Sequence, residues 1–243
     1  MFSYIWHTFF FDPIYNSLVF FIDIAPNADV GLAIIATVIF VKSLLLPISI
    51  KATKTQKVMR EIEPKLKEIK EKYKDKREEQ AKAMLEIYRE AKINPFASLL
   101  LFIIQIPILI ALYFSVYSGG GIALPAINVD LLYSFLPIPD IVNMNFLELI
   151  DIKDKSLLLA VLAGLTQFWQ VKIMMPVLAP RDPNAAPDFK EDFMRNMNIQ
   201  MRYVMPVIIA LVSYTLSAAI ALYFVVSNLF AVAQEYYVIK KHR

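Results

Sequence analysis

The side chains best able to do chemistry in this chain lie inside long apolar runs. Lys42 is the one charge between Val30 and Ile50, in the stretch VIFVKSLLLPISIK. A charge at the centre of a bilayer costs about 2.5–3.5 kcal/mol on insertion scales, so such a residue usually faces a bundle interior or a water-filled cavity. The other apolar runs contain amides and hydroxyls, namely Gln105, Thr166, Gln167, Gln170, Tyr223, Ser227, Asn228 and Gln234. Singly these are ordinary interhelical hydrogen-bonding groups, but together with Lys42 they predict a polar concavity.

The depth of Lys42 bears on an alternative in which its ammonium reaches the nearer aqueous surface. Lys42 precedes Lys51, where a charged segment begins, by nine residues, which is about 13 Å along a helix. A lysine stem covers roughly half that distance. Helical side chains also lean toward the helix N-terminus, and that direction points away from the charged segment. We therefore favour a water-filled cavity over snorkelling.

No residue pattern typical of catalysis or metal binding occurs in the sequence. There is no Cys, and the two histidines, His7 and His242, lie at opposite ends of the chain. HExxH, GxSxG and phosphate-loop motifs are absent, and SGGG at 118–121 predicts a turn. An ion or proton carrier typically has paired acids or histidines at midplane, whereas Glu235 and Asp154 lie near the ends of runs. The sequence predicts no enzyme, no metal and no other cofactor.

The helices that would position these residues are predicted from the apolar runs. Apolar residues make up 58% of the chain, and a membrane span needs about 20 of them in succession. The last run, Tyr203–Ile239, would extend about 55 Å as one helix, so we divide it near Ser213–Ala219. The predicted fold is an all-α polytopic membrane protein with five transmembrane helices, at residues 30–50, 95–117, 157–178, 200–216 and 218–239.

Charge sorted by position predicts the orientation. Residues 51–94 contain 14 Lys and Arg against 9 Asp and Glu, whereas the first 29 residues contain three Asp and no Lys or Arg. Residues 118–155 contain five acids and two lysines, and the chain ends in Lys-Lys-His-Arg. By the positive-inside rule, 51–94, the loop 179–199 and the C-terminus are cytoplasmic, while the N-terminus and the loop 118–155 are outside. We expect a multi-pass protein of the plasma membrane.

Two further segments lie outside the predicted spans. Residues 1–28 interleave apolar residues with Asp12, Asn16 and Asp23, which predicts an N-terminal interfacial amphipathic helix on the outer surface or, equally, a poorly packed leader. Residues 51–94 contain two narrow apolar stripes among charges, which predicts a cytoplasmic antiparallel helical hairpin with a kink or a new helix start at Pro64. This hairpin is either a solvated connector or a landing surface for a partner or an incoming chain.

Long stretches of the sequence resemble the YidC family of membrane protein insertases. GLAIIATVIFVKSLLLPISIKATKTQKVMREIEPKLKEIKEKYKD (31–75) is similar to the first core span and cytoplasmic hairpin of that family. Similarity to its later spans is found in EIYREAKINPFASLLLFIIQIPILIALY (86–113), LAGLTQFWQVKIM (162–174), MPVIIAL (205–211) and LYFVVSNLFAVAQEYYV (222–238). The resemblance is collinear over most of the chain, and it is to the five-span core form without a large outside domain.

This resemblance implies an activity and a site. Members of the family insert hydrophobic client proteins into the bilayer and help them fold, alone or beside the Sec translocon, and they use no nucleotide. Their five helices surround a hydrophilic groove that is closed toward the outside and open to lipid and cytoplasm. The groove has one cation, usually Arg, five positions before a Pro, which implies that Lys42, five before Pro47, is the groove cation and client contact. The implied polar lining is Gln105, Gln167, Gln170, Tyr223, Ser227 and Asn228.

Three departures from the family pattern affect these expectations. Lys42 keeps the charge of the usual Arg but not its fork of donors. Ser217-Ala218-Ala219 replaces a Pro-Ala-Gly-like turn, and the long basic tail that docks ribosomes in some relatives is not present after Ile239. The implied partners are newly made membrane proteins and the lipid bilayer, with the Sec translocon and the ribosome as further candidates and no recognition of nucleic-acid sequence. The residues alone leave two alternatives open, a small channel or transporter and a structural scaffold.

Overall fold

The structure is a computed structural model that describes residues 2–74, 76–94, 97–175 and 195–241. Two compact units make up the chain. The first contains Met1–Ser43 and Pro107–Tyr236, and the second contains Leu44–Ile106 and Tyr237–Arg243. Helices account for most of the described residues, so the predicted class of helical membrane protein is correct in its coarse form.

The first unit begins with a broken N-terminal helix. Helix α1 (Phe2–Trp6) continues through a wide π-helical turn, His7–Phe11, into α2 (Asp12–Ile24). One face of α2 is buried, including Tyr15 and Leu18, and the Asn16 side chain exchanges hydrogen bonds with Leu131 O (2.9 Å) and Tyr133 N (2.7 Å). These contacts contradict the alternative of a poorly packed leader, while the interfacial position of α2 stays a prediction.

Helix α3 (Val30–Leu44) carries Lys42 and begins at a capping carboxylate. The Oδ1 atom of Asp29 accepts the backbone N–H of Leu32 at 3.0 Å, which satisfies a donor that the first turn of a helix leaves without an intrahelical partner. The Thr37 hydroxyl donates a hydrogen bond to Ala33 O at 2.8 Å, so this polar side chain is buried at little cost in free energy. Apart from Thr37, the helix is apolar until Lys42.

A long loop between α6 (Ala97–Tyr117) and α7 (Leu157–Met174) contains two short strands that the all-α prediction missed. Strands β1 (Asn145–Phe146) and β2 (Ile150–Asp151) pair antiparallel, with Asn145 opposite Asp151. A strand of two residues is too short to show the alternation that identifies strands in a sequence. The loop also contains a 3-10 turn, Val129–Leu131.

Three more helices follow this loop among the described residues. Helix α7 (Leu157–Met174) starts at Ser156, whose side chain accepts the N–H of Leu159 at 3.3 Å. Helix α8 (Met205–Leu216) follows a π-helical turn, and α9 (Ala218–Lys241) follows an extended Ser217, so the last apolar run is two helices. Gly164 lets α7 approach α8 closely, because a Cβ there would lie 3.0 Å from the Cβ of Ala210.

The second unit is built on a pair of charged helices. Helix α4 (Leu46–Lys72) and helix α5 (Arg77–Glu90) contact each other, and the Gln80 side chain donates to Lys70 O at 3.0 Å across the turn. Helix α4 continues across Pro64, so the expectation of a new helix start there is wrong. The charged faces are exposed and few side chains are buried, as two narrow apolar stripes require.

Among the described residues, three helices are long and apolar enough to cross a membrane. They are Leu157–Met174, Arg195–Leu216 and Ala218–Val238. The pair Val30–Leu44 and Leu46–Met59 is a fourth if it counts as one broken span, and Ile103–Tyr117 is a shorter apolar helix. The protein is thus a multi-pass membrane protein, while five crossings stay a prediction. Most of the predicted loop 179–199 lies outside the described residues.

Candidate functional site

One loop ties together the starts of the helices that carry the candidate residues. Val30 N donates to Asn143 O at 2.9 Å, and Ala218 N donates to Asp154 O at 2.7 Å, so residues 143–154 bind the first turns of α3 and α9. The same loop continues into Ser156, which caps α7. Tyr117, the last residue of α6, donates its hydroxyl to Lys153 O at 2.9 Å. The N-terminal ends of α3, α7 and α9 and the C-terminal end of α6 therefore lie at a common level. We call them the tied helix ends.

Lys42 lies at the edge of the buried side of α3. Ile34 and Val38 are 0% and 4% exposed, and Lys42 follows them at the spacing of one helical turn. Ile39, three positions before Lys42 and also its neighbour on the helix surface, is exposed, and so is Phe40 on the side opposite Lys42. Lys42 itself is half-buried, as this position between a packed and an exposed face requires.

Helices α7 and α9 meet through polar side chains. The Nδ2 atom of Asn228 lies 3.2 Å from Thr166 Oγ1 and 3.4 Å from Ala163 O, and Asn228 is buried. Gln167 and Gln170, at one and four positions after Thr166, fall on the same side of α7 and are half-buried. This face of α7 is thus lined by one hydroxyl and two amides.

Two buried hydroxyls add to the polar surface of the first unit. Tyr223 is 2% exposed and lies one turn from Ser227, which is also buried. The hydroxyl of Tyr223 interacts with the Ser227 side chain, whereas that of Ser213 has no hydrogen-bond partner among the described residues. Leaving a buried hydroxyl unpaired costs about 1–3 kcal/mol, so Ser213 is a group that can bind a polar partner. In the sequence, Ser213 serves only to locate a helix break. Its hydropathy does not indicate that its hydroxyl is buried without a partner.

The candidate residues of the first unit fall at similar depths. Counting 1.5 Å per residue from the tied ends, Lys42 lies about 18 Å along α3, Gln170 about 20 Å along α7 and Asn228 about 15 Å along α9. Because one loop holds the three helix starts, the cation and the amides lie at similar distances from these ends. Gln105 lies on α6 in the second unit and is half-buried.

These features define a class, a multi-pass helical membrane protein whose helices carry a lysine, amides and hydroxyls at half-buried or buried positions. Residues 21–243 match the family described as 60Kd inner membrane protein. Three similar proteins are each named membrane protein insertase YidC. That of Oceanobacillus iheyensis is 31% identical over 237 residues (95% of this chain and 82% of the relative). That of Clostridium tetani is 32% identical over 209 residues (86% and 81%). That of Fusobacterium nucleatum is 32% identical over 234 residues (94% and 98%). The chain belongs to the YidC family.

Proposed function

We propose that this protein is an insertase and chaperone that moves short polar segments of client proteins across the bilayer and releases their apolar helices into lipid. Family membership supports the activity. The observation that carries the mechanism is the position of Lys42, at the edge of the buried face of α3 and as far from the helix start as the amides of α7 and α9 are from theirs. To act as groove cation and client contact, Lys42 must lie next to the packed face of α3 and also at the level of the other polar side chains.

The mechanism follows from the cost of taking polar groups through hydrocarbon. Each unsatisfied backbone group costs several kcal/mol in lipid, so a polar concavity that reaches part of the way lowers the barrier. A lysine ammonium attracts an acidic or polar client segment, and two unit charges 4 Å apart gain about 4 kcal/mol at an effective dielectric constant of 20. The apolar client helix then moves sideways into lipid, driven by roughly 25 cal/mol for each Å² buried. No nucleotide is required.

We place the loop 118–155 outside and α4 and α5 in the cytoplasm, in a plasma membrane. The support is the charge distribution, in which 51–94 holds the largest excess of bases. The tied helix ends then close the site toward the outside, and the polar band is reached from lipid and cytoplasm. Gln105, Gln167, Gln170, Tyr223, Ser227 and Asn228 would line that route beside Lys42.

A charge series at position 42 tests the function. Insertion of a short-tailed, single-span client into proteoliposomes should be kept by Lys42→Arg, reduced by Lys42→Ala and reduced most by Lys42→Glu, whose sign repels an acidic tail. Lys51→Ala, which removes an exposed lysine, is the matched control and should insert at the wild-type rate. Full insertion by Lys42→Ala would refute the role of the cation, and no insertion by the wild type would refute the function.

The same proteoliposomes distinguish an insertase from a channel or transporter. A channel predicts solute flux that saturates and that follows the Lys42 substitutions, with no crosslinks to a client. An insertase predicts the reverse, with a photo-crosslinker at position 42 or 228 capturing a nascent chain. A structural scaffold predicts that Lys42→Leu is stabilising and leaves insertion unchanged.

The pair α4 and α5 has a separate test. Deleting residues 60–88 should impair client recruitment more than the stability of the remaining helices, because α5 buries none of its described side chains. Client crosslinking and thermal unfolding of the deleted protein measure the two effects. Unfolding of the spans on deletion would show that these helices are a structural clamp.

A further inference from the structure

The turn between β1 and β2 has an unusual backbone for its residues. Leu147 and Glu148 have φ angles of 51° and 62°, in the left-handed region that glycine and asparagine favour. A bulky residue such as leucine is a real outlier there, and a strained turn persists only when its surroundings hold it. Such strain is commonly found where a segment binds something.

The contacts that hold the turn join it to the start of α3. Asp29 Oδ2 accepts the N–H of Leu147 at 2.7 Å, and the Asn27 side chain lies 3.3 Å from Glu148 Oε1. The Phe146 ring packs directly on Gly31, where an added Cβ would come within 2.2 Å of the ring. The turn is therefore fixed at the level where an apolar membrane helix begins.

Held in this way, the turn presents apolar side chains outward. Leu147 is 55% exposed and Leu149 is 83% exposed. The Phe146 ring, by contrast, packs against Gly31 of α3. In the same loop, Phe135 is 78% exposed beside Tyr133, with ring centroids 5.7 Å apart. Single exposed apolar residues are common. A strained turn that exposes two leucines at the start of a membrane helix instead indicates that another apolar environment contacts these side chains.

We propose that Leu147, Leu149 and Phe135 insert into the boundary between headgroups and acyl chains of the leaflet in which α3 begins. Lipid is the occupant because the turn is bonded to the first turn of an apolar helix, which itself exposes the apolar side chains of Ile39 and Phe40. Apolar and aromatic side chains at that level are typical of membrane-interface anchors. Glu148, held by Asn27, stays at the headgroup level. The loop thereby anchors the tied helix ends to one leaflet.

The absence of Cys from the chain allows a direct test. Leu149→Cys and Phe135→Cys are each labelled with an environment-sensitive NBD fluorophore and reconstituted in liposomes of phosphatidylcholine and phosphatidylglycerol. Asp140→Cys, an exposed polar position of the same loop, is the matched control. The measurements are emission wavelength, quenching by aqueous iodide and quenching by lipids brominated along the acyl chain. No client is present, so the result does not depend on the proposed insertase activity.

Positions 149 and 135 should emit at shorter wavelength than position 140 and be quenched by brominated lipid. Their iodide quenching should be lower than that of position 140 by roughly twofold or more, as expected for a label below the headgroups. Equal iodide access at all three positions would overturn the proposal. Protection from iodide without quenching by brominated lipid would also overturn it, because a second copy or another protein would then cover the side chains.

Discussion

Asp29 is the side chain whose removal should most affect the tied helix ends. It is 4% exposed, and its two carboxylate oxygens accept different backbone donors, Leu32 N at 3.0 Å and Leu147 N at 2.7 Å. One bond caps α3 and the other holds the strained β1–β2 turn. The single carboxylate thus joins the helix that carries Lys42 to the loop that binds the other helix starts.

The expected loss follows from the number and kind of these bonds. A hydrogen bond to a charged group contributes about 1.5–3 kcal/mol. Asp29→Asn keeps one carbonyl oxygen but turns an amide N–H₂ toward the second donor, so we expect a loss of about 1.5–3 kcal/mol. Asp29→Ala loses both acceptors and should cost about twice as much, less whatever relaxation of the turn recovers.

Hydrogen exchange of the Leu32 and Leu147 amides in detergent or nanodiscs measures this loss locally. A cost of 1.5–3 kcal/mol corresponds to exchange that is about 10- to 150-fold faster. Asp23→Asn, an exposed carboxylate on α2, is the matched control and should leave both amides unchanged. Acceleration at Leu32 alone would show that the carboxylate is only a helix cap. No acceleration at either amide would refute the reasoning.

Three further changes have outcomes that the contacts determine. Gly164→Ala should destabilise the protein by about 1–3 kcal/mol in thermal unfolding, because its Cβ would be forced against Ala210. Asn228→Ala should cost about 0.6–1.7 kcal/mol in the same assay, the range for interhelical hydrogen bonds in membranes, and should also slow client insertion. Tyr15→Phe removes the acceptor of the Asn128 N–H, at 2.8 Å, and should cost about 1–3 kcal/mol. Burial raises the pKa of Tyr15, so the native state resists ionisation. The wild type should therefore lose stability as the pH rises above about 10, and the Phe variant should not share that loss.

The apolar helices could be predicted from the sequence because lipid imposes the pattern. A span must be long and apolar whatever it packs against, so the runs that became α3, α7, α8 and α9 were visible without a partner. The same reasoning predicts that Lys42 is deep. It could not show how far Lys42 is buried, because that depends on which side of α3 is packed, and the pattern of α3 does not mark one apolar side.

The parts that were missed depend on contacts far apart in the chain. The strands β1 and β2 exist because Asp29 and Gly31, more than a hundred residues earlier, hold and accommodate the turn between them. Asp29 looked like one more acid that favoured an outside N-terminus, and only the structure shows its two acceptor roles. Pro64 was expected to kink α4 or to start a new helix, and the new start is wrong because a missing donor and a ring clash cost only a few kcal/mol, which the rest of a 27-residue helix sustains.

The separation between the tied ends and Lys42 makes the charge series interpretable. Asp29 and the backbone bonds of Val30 and Ala218 hold the helix starts, and Lys42 lies about 18 Å further along α3. Sites more than about 7–10 Å apart with no shared partner usually have additive effects on stability. Lys42→Glu combined with Asp29→Asn should therefore destabilise by the sum of the two single changes. Additivity would mean that a loss of insertion in Lys42→Glu reports on the charge itself. Strong coupling would mean that position 42 also helps to hold the tied helix ends together.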